Sequence, residues 1–196
     1  LEASGVSVSV LCPGATDTGF EKRAGLAKSK LFKGKNMSAA TVAKIAYKGF
    51  MNNEMIIIPA FLVHSKEEFQ EKLERVKGIV SHIHVDVMDG IFVPNTTWAD
   101  PKVIDELLPI GMTYEAHCMV VDPLRVCSRW GNVRALSRFI FHTETIHHVH
   151  ELLGCVRPLK KEVWLACNPE TPIEKVQKTT RFFDGMLVMG VHPGLD

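Results

Sequence analysis

The chain has 196 residues, of which 46% are apolar and 23% charged, with a formal net charge of +1. That is enough for one good core and a small second unit, and so weak a charge gives no reason to expect nucleic acid or a membrane surface as partner. No apolar run approaches the roughly 20 residues of a membrane helix, no leader pattern opens the sequence, and Cys12, Cys118, Cys127, Cys155 and Cys167 form no C-x-x-C pair, so reduced thiols in a cytoplasmic protein are expected.

Val6, Val8 and Val10 alternate with Ser7 and Ser9, the period of a strand, and Cys12-Pro13-Gly14 ends it. A loop rich in lysine and glycine follows, its basic run Lys28–Lys35 read as solvated. Ser38 is expected to cap a helix running to about Gly49, with Val42, Ile45 and Ala46 on its buried face, and Met55–Ile58 is a short apolar strand. This β-loop-α-β order is the material of an open α/β sheet. Pro13-Gly14-Ala15-Thr16-Asp17-Thr18 is similar to the P-G-x-x-x-T that follows a late strand in short-chain dehydrogenase/reductases, so residues 1–58 resemble the C-terminal part of that family. They carry no glycine-rich first βα turn to receive a pyrophosphate and no Tyr-x-x-x-Lys pair, since Lys48 directly follows Tyr47. A fragment of an NAD(P)-dependent oxidoreductase is therefore the weakest functional reading.

From Ile56 onward strands and helices alternate. Ile56–Leu62 is a first strand, and Ser65 with Glu68 makes a capping box for a helix that buries Phe69, Leu73 and Val76. The strand around His84 follows, then a helix over Pro101–Leu108, a strand over Thr113–Met119, a helix over Pro123–Trp130 and a strand over Arg138–His142. His147, His148 and His150 are read as solvent-facing on a surface helix. Val163–Ala166 is a fifth strand, Thr171-Pro172-Ile173-Glu174 opens a helix with a capping box and proline at its first position, and Gly185–Met189 is a sixth strand.

The chemistry gathers on two of these strands. Side chains alternate with a period of two, so His84, Asp86 and Met88 share one face while Val85 and Val87 take the helix-packed one. An unpaired inward charge would be costly, and either a buried hydrogen bond or a metal ion satisfies the pair. His117 and Met119 repeat the pattern on the next strand. Two histidines, a carboxylate and two methionines on neighbouring strands favour a site over a core.

The stretch His84–Asn95 (HVDVMDGIFVPN), with Glu115–Val120, Phe141–Glu144, Asn168–Pro172 and Leu187–Gly194, falls in the order of the ribulose-phosphate 3-epimerase family, which residues 56–196 resemble. The resemblance implies a metal-dependent (β/α)8 barrel that interconverts ribulose 5-phosphate and xylulose 5-phosphate in the pentose phosphate pathway. It implies His84, Asp86 and His117 as ligands of a divalent ion (Zn, Fe, Mn or Co) and Asp86 as the catalytic acid/base. Met88, Met119 and Met189 would line the substrate, and Gly194 would open the loop that holds its phosphate. His142 and Glu144 are expected to be structural or to lie behind the ligands, and Asp89 to shape a turn. Pro59-Ala60 stands where the family usually has Pro-Ser.

The expected architecture is α/β: an incomplete (β/α)8 TIM barrel of about six strands over 56–196, preceded by a short Rossmann-like β-α-β fragment over 1–55. Together the two resemblances imply a chimera. Closure of such a barrel takes eight strands and roughly 250 residues, and the family's second catalytic aspartate lies on the seventh strand. Epimerisation is accordingly expected to be impaired, with a non-catalytic chimeric or truncated protein carrying a vestigial metal site as the alternative. Open edges leave room for the Val6–Leu11 strand or for a second copy of the chain, a homo-oligomer. A small sugar phosphate is the expected partner.

Overall fold

The computed structural model describes residues 58–190 and 192–194, together with Thr16–Asp17 and Met37–Ser38. Those two dipeptides pair in parallel as a two-stranded sheet. Apart from Ile58, the rest of the dehydrogenase-like reading of residues 1–58, including the Val6–Leu11 strand and the helix expected after Ser38, lies outside the described residues.

The larger unit runs from Ile58 to Gly194. Its six strands are β1 (Ala60–Phe61), β2 (His82–Met88), β3 (Thr113–Met119), β4 (Leu136–His142), β5 (Glu162–Cys167) and β6 (Gly185–Val188). All pair in parallel and lie in the sheet in sequence order. Helices α1 (Lys66–Val76), α2 (Pro101–Leu107), α3 (Pro123–Trp130), α4 (Val149–Val156) and α5 (Ile173–Thr180) connect them. Each crossover steps to the adjacent strand without reversal, the winding of a partial (β/α)8 barrel and unlike a doubly wound sheet. Among the described residues no helix is long and apolar enough to cross a membrane.

Local chemistry sets the helix starts. Asp100 accepts the backbone N–H groups of Lys102 and Val103, and Asp122 accepts that of Arg125, each just ahead of a proline whose missing N–H costs nothing at that position. Ser65 accepts from Glu68 N as expected, but the Glu68 carboxylate takes the N–H of His64 and not that of Ser65, so the box closes one residue early. The capping box expected at Thr171 does not form. The helix starts at Ile173, so Pro172 occupies the cap and offers no side-chain acceptor, while Thr171 falls one residue outside it and donates its hydroxyl to Glu144.

The core lies between the sheet's outer face and the helices. Ile83, Val85, Tyr114, Ala116, Phe139, Phe141 and Val163 pack there against Phe69, Leu73, Ile104, Trp130 and Leu152. The inner face is polar. Its alternation is kept by a bulge: Tyr114 pairs with Leu136, but the next residue, Glu115, pairs with Arg138. The extra residue, Ser137, bonds the Tyr114 carbonyl, and its insertion turns Arg138, Ile140 and His142 inward where strict alternation from Leu136 would turn them differently.

One row of the inner face shows why a strand begins with glycine. Trp164 lies beside Gly185 in register, and a Cβ added to Gly185 would meet the indole at 2.3 Å. On its other side the indole carries the Arg138 guanidinium, 3.8 Å from the ring centroid, so it has little room to retreat. Gly185→Ala is expected to destabilise the unit by about 1–3 kcal/mol by overpacking. A urea midpoint equal to that of the unaltered protein would show that Trp164 is free to move.

Candidate metal centre

β2 and β3 pair in register along their whole length, His84 with Glu115, Asp86 with His117 and Met88 with Met119. Parallel strands in register put side chains of matched parity on one face, so the two polar rows converge. His84 Nε2 lies 3.2 Å, and His117 Nδ1 2.9 Å, from the same oxygen, Asp86 Oδ1. One donor atom from each of the three residues falls within 4.8 Å of the others. This is a mixed imidazole and carboxylate set on adjacent strands, the donor chemistry of a divalent transition ion, and the residues fit one.

The electrostatics divide the two histidines. Burial works against charge on His84, but hydrogen bonds to Asp86 and Glu115 outweigh it and hold the ring up at about 9 from its ordinary 6.5. Burial of His117 is nearly complete and dominates, pushing that ring down to about 4 despite its bond to Asp86. Burial opposes ionisation of Asp86 too, yet the hydrogen bonds with His117 and His84 hold its carboxyl well below the usual carboxylate range. In the absence of an ion the cluster at neutral pH is therefore an Asp86 carboxylate between a charged and a neutral imidazole.

His142, fully buried, stands behind His117. The two rings stack at 5.0 Å with their Nε2 atoms 2.8 Å apart, so one donates and the other accepts. Phe92 covers His142 from the strand-end loop. Beyond it, His142 Nδ1 faces Glu144 Oε2 at 3.4 Å, and Glu144 also accepts from Asn168 N and the Thr171 hydroxyl. Burial opposes charge on Glu144, but these partners hold it down at about 2. Sequence alternation alone misses how close His142 comes, because the bulge at Ser137 sets its face.

Residues 56–196 match the ribulose-phosphate 3 epimerase family. The chain belongs to that family. A ribulose-phosphate 3-epimerase from Synechocystis sp. is 30% identical over 151 residues, which cover 74% of this chain and 64% of the relative. The chloroplastic ribulose-5-phosphate-3-epimerase of Arabidopsis thaliana is 31% identical over 152 residues, 74% of this chain and 52% of the relative. A third relative, from Treponema pallidum, is 34% identical over 113 residues, 57% of this chain and 51% of the relative. The chain spans between about half and two thirds of the length of these relatives.

Within this epimerase-family sheet the other expected site residues fall in three places. Met88 and Met119 pack together with Val93, Leu62 and Phe92 above the row of His84, Asp86 and His117. Met189 lies just past β6, its N–H bonded to the Cys167 carbonyl, and is not part of that cluster. Gly194 sits at a φ of +72°, and its carbonyl accepts from Asn95 Nδ2 at 2.7 Å, which joins the loops after β6 and β2. A Cβ on Gly194 would also meet Val93 Cβ at 2.7 Å, so only glycine suits the position. Ala60 pairs with His84 on β1 and offers no hydroxyl to the row. Asp89 takes the N–H groups of Ile91, Phe92 and Val121, shaping the turn after β2.

Proposed function

We propose that the chain carries the metal-dependent chemistry of ribulose 5-phosphate 3-epimerisation, with His84, Asp86 and His117 holding a divalent ion and Asp86 moving the proton. The observation that carries this is the convergence of both histidines on one Asp86 oxygen at the inner face of a parallel sheet wound as a barrel. It gains support from the family match and from relatives that bear the epimerase name.

The ion, when bound, supplies positive charge that stabilises a developing oxyanion. Everything else falls to side chains. Epimerisation breaks the C–H bond next to a ketone. Asp86, ionised across the neutral range, takes the proton while the electron pair passes toward the ketone oxygen. Return of a proton to the opposite face of that carbon inverts it, which calls for a second acid; the described residues do not place one at the cluster. Met88 and Met119, with Val93 and Phe92, give an apolar roof that excludes water from the reacting carbon. The Gly194 carbonyl held by Asn95 fixes the loop proposed to receive the phosphate. Residues 1–55 are read as a separate segment of dehydrogenase origin fused to this unit, a reading that rests on the Pro13–Thr18 motif.

A coupled assay of xylulose 5-phosphate formation on zinc- or cobalt-loaded protein tests the proposal. Slow turnover, impaired because no second acid stands at the cluster among the described residues, is expected to disappear on chelation and return with metal. Folded, metal-loaded protein with no turnover would leave a metal site without the reaction.

A further inference from the structure

Glu115 is the buried charge that the reaction described above does not use. It faces inward beside His84 and accepts from His84 Nδ1 at 2.6 Å through Oε1. Its other oxygen accepts from Arg138 at 2.5 Å and lies 3.6 Å from His82 Nε2. Arg138 is locked in turn: its Nε donates to Glu162 at 2.7 Å and its guanidinium lies on Trp164, which is seated on Gly185. One row of the inner face thus runs from the metal-ligating histidine of β2 through β3, β4 and β5 to β6, and every link is a directed contact.

We propose that Glu115 is a positioning residue for the metal centre, fixing the His84 ring with Nδ1–H outward and Nε2 toward Asp86, while Arg138, clamped by Glu162 and Trp164, holds Glu115 in that pose. The inference rests on the metal reading above. An imidazole has two nitrogens, and the hydrogen bond made by one decides which lone pair is left for an ion. With its proton committed to Glu115, Nδ1 cannot ligate, and Nε2 is the atom that meets Asp86 Oδ1. His117 is braced differently, by the His142 ring, so the two ligands have separate supports.

Glu115→Gln separates this role from that of a buried ion pair. The amide has one acceptor, which Arg138 claims, and its NH2 then faces His84 Nδ1. That nitrogen must become an acceptor, which puts the proton on Nε2 and removes the lone pair aimed at the ion. Outer partners of metal-ligating histidines typically contribute about 10–100-fold in metal affinity. The experiment is a competition titration of Co²⁺ against a chromophoric chelator, on the full chain and on Glu115→Gln, with near-ultraviolet circular dichroism of the metal-free proteins as the check on folding.

A 10–100-fold loss in a folded Glu115→Gln protein, with a changed visible cobalt spectrum, is expected. Equal affinity and an unchanged spectrum would overturn the positioning role while leaving the metal site in place. No cobalt binding by the unaltered protein would overturn both. Should Glu115→Gln fail to fold, long-range ¹H–¹⁵N spectra of the zinc-loaded parent decide: a protonated Nδ1 and metal-shifted Nε2 on His84 support the role, and the reverse assignment overturns it.

Discussion

Changing Asp86 to asparagine is expected to weaken binding of a divalent ion by more than the about 10–100-fold that outer partners of a metal ligand contribute, and to lower epimerisation by about 10²–10⁴. Asp86 Oδ1 is reached by both His84 and His117, so its negative charge is the centre of the proposed donor set. Asparagine keeps the shape but offers a neutral oxygen. It also leaves His84 with only Glu115 as a charged partner, so the ring's hold on its proton slackens. The fold should survive, because the bond that Asp86 accepts from the following loop, Thr97 Oγ1 donating to its backbone carbonyl, does not involve the carboxylate. Cobalt titration and the coupled assay on the same preparation check the two effects together. Undiminished metal affinity in Asp86→Asn would remove this carboxylate from the ligand set.

Metal affinity is also expected to climb about tenfold per pH unit up to about pH 9, roughly a thousandfold between pH 6 and 9. In the metal-free protein His84 keeps its proton until about pH 9, and an ion must displace it. His117, at about 4, is already neutral over that range and adds nothing to the slope until the pH falls toward its own value. The same shifts set the stability of the metal-free protein. His84 is raised, so its contribution is full below 6.5 and is lost as pH rises through about 9. His117 is lowered, so its contribution is full above 6.5 and is lost as pH falls through about 4. The metal-free unit is expected to have its highest melting temperature near pH 6.5, and the metal-loaded one at higher pH. Melting curves across pH 4 to 10, with and without zinc, check this; a flat profile would mean that the two rings are not held as described.

Much of the fold was legible because its signals are local. Asp100-Pro101 and Asp122-Pro123 announce helix starts, and the alternation through His84, Asp86 and Met88 assigns an inner face before any coordinates are seen. The paired row on β3 was legible for the same reason, yet Glu115 shares the parity of His117 and its role went unread, because its meaning lies in which strand it sits beside. His142 was harder still. Its approach to His117 depends on the residue inserted at Ser137, and a bulge carries no strong signal in a run as ordinary as Leu136-Ser137-Arg138-Phe139. At Thr171 the local rule failed outright: the residues suit a capping box, but the helix starts one residue later with Pro172 at the cap, and the Thr171 hydroxyl donates to Glu144 instead. Helix Val149–Val156 begins after His148 with no side-chain cap, which is why its limits were not bounded from sequence.

Asp86, beside an ion held with His84 and His117, is proposed to move the proton on the carbon next to the ketone. Solvent exchange at that carbon tests it most directly. Zinc- or cobalt-loaded protein incubated with ribulose 5-phosphate in D₂O is predicted to place deuterium at C3, with the exchange lost on chelation and in Asp86→Asn. Folded, metal-loaded protein that exchanges nothing, or exchange that proceeds equally well in Asp86→Asn, would contradict it.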